Sequence, residues 1–138
     1  MNYWLVKTEP GTFAWQELVE RGAKGEPWDG VRNHQAANFL RAMADGDEVF
    51  VYHSGKTREI VGIARVIRTH FPDPTDDSGR FVAVQLRALK PLNKPVTLTA
   101  IKADPQLQDL LLVRHSRLSV MPVGELHWGV IQAMGQSR

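Results

Sequence analysis

The sequence predicts an α+β fold, a curved and mostly antiparallel sheet or small barrel with helices near both ends. Three observations lead there. The 138 residues suit one core, since single cores hold roughly 100 to 150 residues, so 1–138 is expected to form a single domain. Runs rich in β-branched and aromatic residues succeed one another through the middle of the chain, separated by turn formers. That order favours neighbouring antiparallel strands over a doubly wound parallel sheet. Helical spacing of apolar residues is confined to segments nearer the two ends.

Asn2 to Thr8 is strand-like and ends where Pro10 and Gly11 punctuate the chain. Thr12 can cap a short helix with Phe13, Leu18 and Val19 turned inward, and Gly22 can supply the left-handed conformation that stops it. Lys24 to Gly30 has the chemistry of an irregular loop, with Trp28 inside it. Asn33 is a good N-cap for a second helix carrying Ala36, Ala37, Leu40 and Met43, which ends at Asp45-Gly46-Asp47. Glu48 to Ser54 and Glu59 to His70 read as a hairpin, and Phe81 to Leu89 as a third strand with Val82, Val84 and Leu86 on one face. Asp104-Pro105 opens a helix with Leu107, Leu110 and Leu111 on one side. Leu118 to Met121 reads as the last strand, and Pro122 to Met134 as a final helix with Leu126, Val130, Ile131 and Met134 inward.

Composition narrows the function classes. With 43% hydrophobic and 23% charged residues the chain is globular in type, which excludes intrinsic disorder and collagen-like repeats. Apolar runs such as Leu110–Val113 fall far short of the ~20 residues of a membrane span, and Met1 leads into strand-like sequence without a signal-peptide pattern. A soluble, cytoplasmic protein with no membrane partner is expected. With no cysteine there is no disulfide, thiolate nucleophile or Cys-based metal site. Net charge is only +2, but its distribution is uneven. Residues 51–72 carry four basic groups against one acidic, and 80–102 carry five against none, with Asp73, Asp76 and Asp77 interrupting in what reads as a solvated loop. A basic strand pair suits phosphates, although solvent-facing charges on amphipathic strands are the commoner explanation.

The usual enzyme signatures are missing: no G-x-G-x-x-G, no G-x-x-x-x-G-K-[ST], no G-x-S-x-G and no H-E-x-x-H. The five histidines have no pair at i, i+3 or i, i+4, so neither a metal site nor a cofactor is expected. His53 and Ser54 are adjacent, but neighbours on a strand point to opposite faces, which argues against a Ser–His pair. Binding chemistry is better supplied. Of four tryptophans, Trp15 and Trp128 fall within helices and read as core. Trp28 precedes Val31-Arg32-Asn33, where polar donors gather at a helix start, and it suits a ligand wall and a loop-anchoring plug equally. Lys7 and Glu9 share one side of the first strand, opposite Trp4. They read first as a surface pair worth about 0 to 1 kcal/mol and second as a donor and acceptor for a polar ligand.

Taken in order, Tyr3-Trp4-Leu5-Val6-Lys7-Thr8-Glu9-Pro10, Trp28-Asp29-Gly30-Val31-Arg32-Asn33, Met43-Ala44-Asp45-Gly46-Asp47 and Tyr52-His53-Ser54 form a specific combination. It continues through Ile60–Ala64, Phe71–Thr75 and Arg117–Val123, so nearly the whole chain resembles the EVE domain family. Thr8 stands where that family commonly has Ser. The resemblance implies a PUA-like fold, a partly open β-barrel with flanking helices. It implies a non-catalytic reader whose partner is nucleic acid, DNA or RNA carrying a modified base, held in an aromatic-lined pocket. Matched by motif, that pocket draws on Trp4, Lys7, Glu9, Trp28, Gly30, Val31, Arg32, Asn33, His53 and Ser54, with Arg117, Leu118, Ser119 and Val120 completing it. In such a site an aromatic wall restores the stacking an extruded base loses. Arg32 and Lys7 could instead meet a backbone phosphate. Trp28→Ala is expected to remove most affinity and leave the fold intact. Two other readings stay open: a small-molecule hydrolase or transferase with His53 as general base, and an RNA- or protein-binding adaptor without a base pocket, relying on Arg87, Lys90 and Lys94.

Overall fold

The first strand, β1 (Tyr3–Thr8), lies between β3 (Glu48–His53), to which it runs parallel, and β6 (Val120–Val123), to which it is antiparallel. The remaining pairings are antiparallel. β3 joins β4 (Glu59–Pro72), β4 joins β5 (Val82–Thr97), and β5 joins the short β2 (Glu26–Trp28). A computed structural model describes residues 1–136, and among them the six strands form one mixed sheet in the order β2-β5-β4-β3-β1-β6, with β2 and β6 as its open edges. The fold is the expected α+β, PUA-like, partly open barrel.

Its helices are α1 (Trp15–Glu20), α2 (His34–Ala42), α3 (Leu98–Ala103), α4 (Leu111–Arg114) and α5 (Glu125–Gln136). Trp128 of α5 stacks on Tyr3 and Phe50, with ring centroids 4.4 and 3.7 Å away, so α5 covers one face of the sheet. On the opposite face Phe39 of α2 meets Trp4, and the Trp15 ring of α1 lies over Gly62. Covering both faces explains why Leu5-Val6 and Val49-Phe50-Val51 read as unbroken apolar runs and not as alternation. Register shifts interrupt β4 and β5 at several points, and such bulges add twist to the strands that carry them. In sheet order β1 and β2 stand three strands apart, yet residues of both line one cavity, so the sheet curls back on itself.

Several local expectations need correction. Trp28 is not in a loop but ends β2, paired with Val84. Thr12 does not cap α1: its N-cap is Ala14, whose side chain has no acceptor, and the Nε2 of His53 takes the Trp15 N–H at 3.0 Å. Leu126 and Val19 are exposed and not inward, while Trp128 and Ile131 form the buried side of α5. After Asp104 the chain makes only a 3₁₀ turn, Pro105–Leu107, before α4. The last strand starts at Val120, and α5 begins at Glu125, beyond Pro122. The β3–β4 hairpin, the Asn33 cap of α2 and the core positions of Trp15 and Trp128 stand as expected. No helix among the described residues is long and apolar enough to cross a membrane.

Candidate functional site

The C-terminal end of β1, the segment Thr12-Phe13 and the strand-to-loop segment Glu26–Asp29 enclose a cavity of about 290 Å³. Two aromatic rings lie along it. Phe13 meets Trp28 edge to face, 6.0 Å between centroids, and the Arg21 guanidinium sits 5.5 Å over Phe13 while pairing with Glu26 at 3.0 Å. Polar groups line the rest: Lys7, Thr8, Thr12, Glu26 and Asp29. Thr8 donates its hydroxyl to the Phe13 carbonyl at 2.6 Å, which fixes the aromatic segment against the end of β1. Burial, followed by the charges of Asp73 and Glu26, pushes the Asp29 carboxyl above its ordinary range. Burial lowers the Lys7 amine, whose Nζ donates to the Ser116 carbonyl at 2.7 Å. The cavity therefore combines apolar ring surface with cationic, anionic and hydroxyl groups in one small space, at the lower end of the size range of ligand sites.

Trp28 is 7% exposed. It is thus largely packed into the core, and at the same time a cleft opens along it. That placement overturns the expectation that Trp28→Ala spares the fold, because removing so buried a ring leaves a void worth about 3 to 5 kcal/mol.

Directly after Trp28 the chain is tied to the β4–β5 loop. Gly30, at φ 79°, donates its N–H to Asp73 Oδ2 at 2.8 Å, and Arg32 Nη1 donates to the same oxygen at 2.9 Å. Thr75 donates both its N–H and its hydroxyl to Asp73 Oδ1. Asp73 is therefore not part of a solvated run but a buried hub, 2% exposed. Burial alone would raise its carboxyl, but the hydrogen bonds from Thr75, Arg32 and Gly30 outweigh that and hold it at about 2. Arg32 also bonds Thr75 and lies 5.2 Å over the Phe81 ring.

The remaining motif residues divide by position. Lys7 and Trp28 share the cavity wall. Asn33, Arg117 and Leu118 border a neighbouring depression of about 310 Å³, and Ser54 borders a third, of about 290 Å³, that also reaches Lys7. Glu9 accepts the Gly11 N–H through Oε1. Trp4 lies elsewhere, its indole N–H bonded at 2.9 Å to the buried Asp47, which also accepts from Asn2 and Ala44. Val31 and Val120 are core residues, and the Ser119 carbonyl accepts the Lys7 N–H in continuation of the sheet. His53 is held by the Trp15 N–H, and burial lowers its pKa against the opposing pull of Glu59 and Glu9.

Thr8, Thr12, Phe13, Glu26, Pro27 and Asp29 also line the cavity and were not among the expected pocket residues. For Phe13 the signal in the sequence is a large aromatic ring in the segment between β1 and α1. Glu26 and Pro27 belong to β2 and the others lie on or beside β1 or just after β2, so their meeting depends on the curl of the sheet.

Comparison with known proteins agrees with this architecture. The family model of the EVE domain matches residues 2–134. A protein of Rhodopseudomonas palustris solved by NMR is 52% identical, with a TM-score of 0.93 over 98% of this chain and 93% of that one. Human THYN1, crystallised in complex with DNA containing 5-methylcytosine, is 26% identical, with a TM-score of 0.90 over 100% of this chain and 99% of that one. Thymocyte nuclear protein 1 of Rattus norvegicus is 29% identical over 99% of this chain and 74% of its own length. With the whole sheet and nearly every residue matched, the chain belongs to the EVE domain family.

Proposed function

We propose that residues 1–138 act as one domain, a non-catalytic reader that takes a single modified base of nucleic acid into the Trp28–Phe13 cavity. The observation that carries this reading is the cavity itself: base-sized, faced by two aromatic rings and rimmed with groups able to hydrogen-bond a heterocycle edge. Glu26 and Asp29 suit the exocyclic amine of a cytosine, which carboxylates accept from, while Lys7 can donate to a ring carbonyl. A modified cytosine in DNA is the favoured ligand, because human THYN1 was solved with 5-methylcytosine DNA; a modified RNA base is the alternative. His53 is poorly placed to be a general base, since its Nε2 lone pair already accepts the Trp15 N–H. The cytoplasmic placement expected from the sequence belongs with this proposal, although the name of the rat relative points to a nucleus for that protein.

The test is binding to a panel of modified and unmodified DNA and RNA oligonucleotides, followed by fluorescence anisotropy. Thr12 is exposed and lines the cavity, so Thr12→Trp fills it without disturbing the core. The wild type should prefer one modification by tens-fold to about a hundredfold, the range an added methyl provides. Thr12→Trp should lose that preference with its thermal midpoint unchanged. Equal affinity of the wild type for modified and unmodified strands of every chemistry would overturn the reading.

A further inference from the structure

Beyond the base cavity, the chain presents a polar depression of about 390 Å³ lined by Lys56, Thr57, Arg58, Thr97, Thr99 and Lys102. We propose that Lys56, Arg58 and Lys102 bind the phosphodiester backbone of the strand whose base enters the Trp28 cavity, a proposal that rests on the reader function. All three cations are exposed, and none pairs with a carboxylate among the described residues. Cations interleaved with hydroxyls are the groups that contact phosphate oxygens, and unpaired cations need no ion pair broken before they do so.

A smaller depression, the one bordered by Ser54, shares Arg58 and Lys102 with the polar one and reaches Lys7 at its other end. Lys7 also lines the base cavity. Shared side chains thus make the three depressions neighbours, Lys7 between the first two and Arg58 and Lys102 between the last two, in a succession that leads from the base cavity past Lys7 to Lys56.

The backbone is shaped to hold this path. Among the described residues Arg58 is the non-glycine residue with positive φ, 47°, and its carbonyl accepts the Leu98 N–H at 2.9 Å. That bond clips the β3–β4 turn to the start of α3 and sets Lys56 and Arg58 beside Lys102. A side chain in the left-handed region is unfavourable without surrounding restraint, and its presence in a turn marks a shape the fold maintains. The Glu9 carboxylate lies against this turn, where a Cβ on Gly55 would collide with its Oε2. Its Oε1 accepts the Gly11 N–H, and no ion pair joins Glu9 to Lys56, Arg58 or Lys102 among the described residues.

The test compares the wild type with Lys56→Gln/Arg58→Gln/Lys102→Gln and with a charge-matched control on β5, Arg87→Gln/Lys90→Gln/Lys94→Gln. Affinities for DNA and RNA oligonucleotides with and without 5-methylcytosine, and for the free 5-methylcytosine nucleoside, are measured from about 50 to 200 mM salt. Loss of three phosphate contacts should lower the slope of log affinity against log salt by about 2 to 3 and weaken oligonucleotide binding by about tenfold or more. The ratio of modified to unmodified affinity and the nucleoside affinity should not move. A slope change no larger than the control's overturns the phosphate path while leaving the base cavity standing. A wild type without base preference whose slope still falls in the first variant overturns the reader and keeps the path. Absence of binding to every oligonucleotide overturns both. If Arg58→Gln loosens the turn, seen as a lowered thermal midpoint, Lys56→Gln/Lys102→Gln should still lower the slope by about 1.4 to 1.8.

Discussion

Asp73 shows how one side chain organises the approach to the cavity. It gathers Gly30, Arg32 and Thr75 on two carboxylate oxygens, and its carboxyl sits at about 2 against an ordinary value of 3.8. Because the folded pKa is depressed, the stabilisation is complete above about pH 4 and is lost as pH falls through about 2. Asp73→Ala leaves those donors without an acceptor and should cost about 2 to 3 kcal/mol in urea denaturation at neutral pH, with a smaller acid-induced loss than the wild type between pH 4 and 2. His53 works in the opposite chemical sense. Its neutral ring accepts the Trp15 N–H, so its contribution is full above an imidazole's usual pKa of about 6.5 and is lost as pH falls through the lowered folded value. His53→Ala should cost about 1 kcal/mol, as loss of a helix cap does, and leave nucleic-acid preference intact. Loss of preference with unchanged stability would instead place His53 in the binding site.

These residues also mark what the sequence could disclose. The motif strings contain Asp73, Arg32, Trp4 and His53; the family resemblance drew attention to the last three, whereas Asp73 read as part of a solvated loop. Which ones face a ligand was not legible, because that depends on partners 38 to 43 positions away: Trp15 for His53, Asp47 for Trp4, Gly30 and Arg32 for Asp73. A short motif records that a residue is needed, and a structural hydrogen bond and a ligand contact leave the same mark in it.

At the scale of elements, two glycines report on packing that admits no side chain. A Cβ on Gly62 would stand 2.5 Å from the Trp15 ring, which is itself core, so Gly62→Ala should destabilise by about 1 to 3 kcal/mol through a displaced α1. Gly25→Ala should cost more. Its φ of +70° belongs to the left-handed region, and the new Cβ would collide with the Leu86 carbonyl, where β5 approaches the β2 entry. Thermal or urea unfolding of the two variants checks the order. Hairpin β3–β4 was legible from its β-branched runs and from Gly55 in the turn, and helix α2 from helical spacing of apolar residues and the Asn33 cap. β2 was not, because three residues containing a proline read as loop chemistry until β5 supplies a partner. Nor was the parallel pairing of β1 with β3, since sequence proximity suggests antiparallel partners and here the helices between them carry the chain across.

For the whole molecule, curl is what converts elements into a site. β1 and β2 meet around the cavity although three strands separate them in the sheet, and the Asp73 hub locks the segment after β2 to the far end of β4. Under the proposed function the cavity and the basic path would divide the work, the walls reading the base and the cations holding the strand. Binding should therefore weaken steeply with salt while base preference persists, a separation that follows from placing the two functions in different depressions. The central claim, that a lone base lodges beside Trp28, is tested most directly by NMR of the indole N–H groups during titration with a 5-methylcytosine oligonucleotide, the Trp28 signal being assigned from Trp28→Phe. The Trp28 indole should shift markedly, and the Trp4 indole, fixed on Asp47, should stay in place. A Trp28 signal unmoved at saturation would contradict the account.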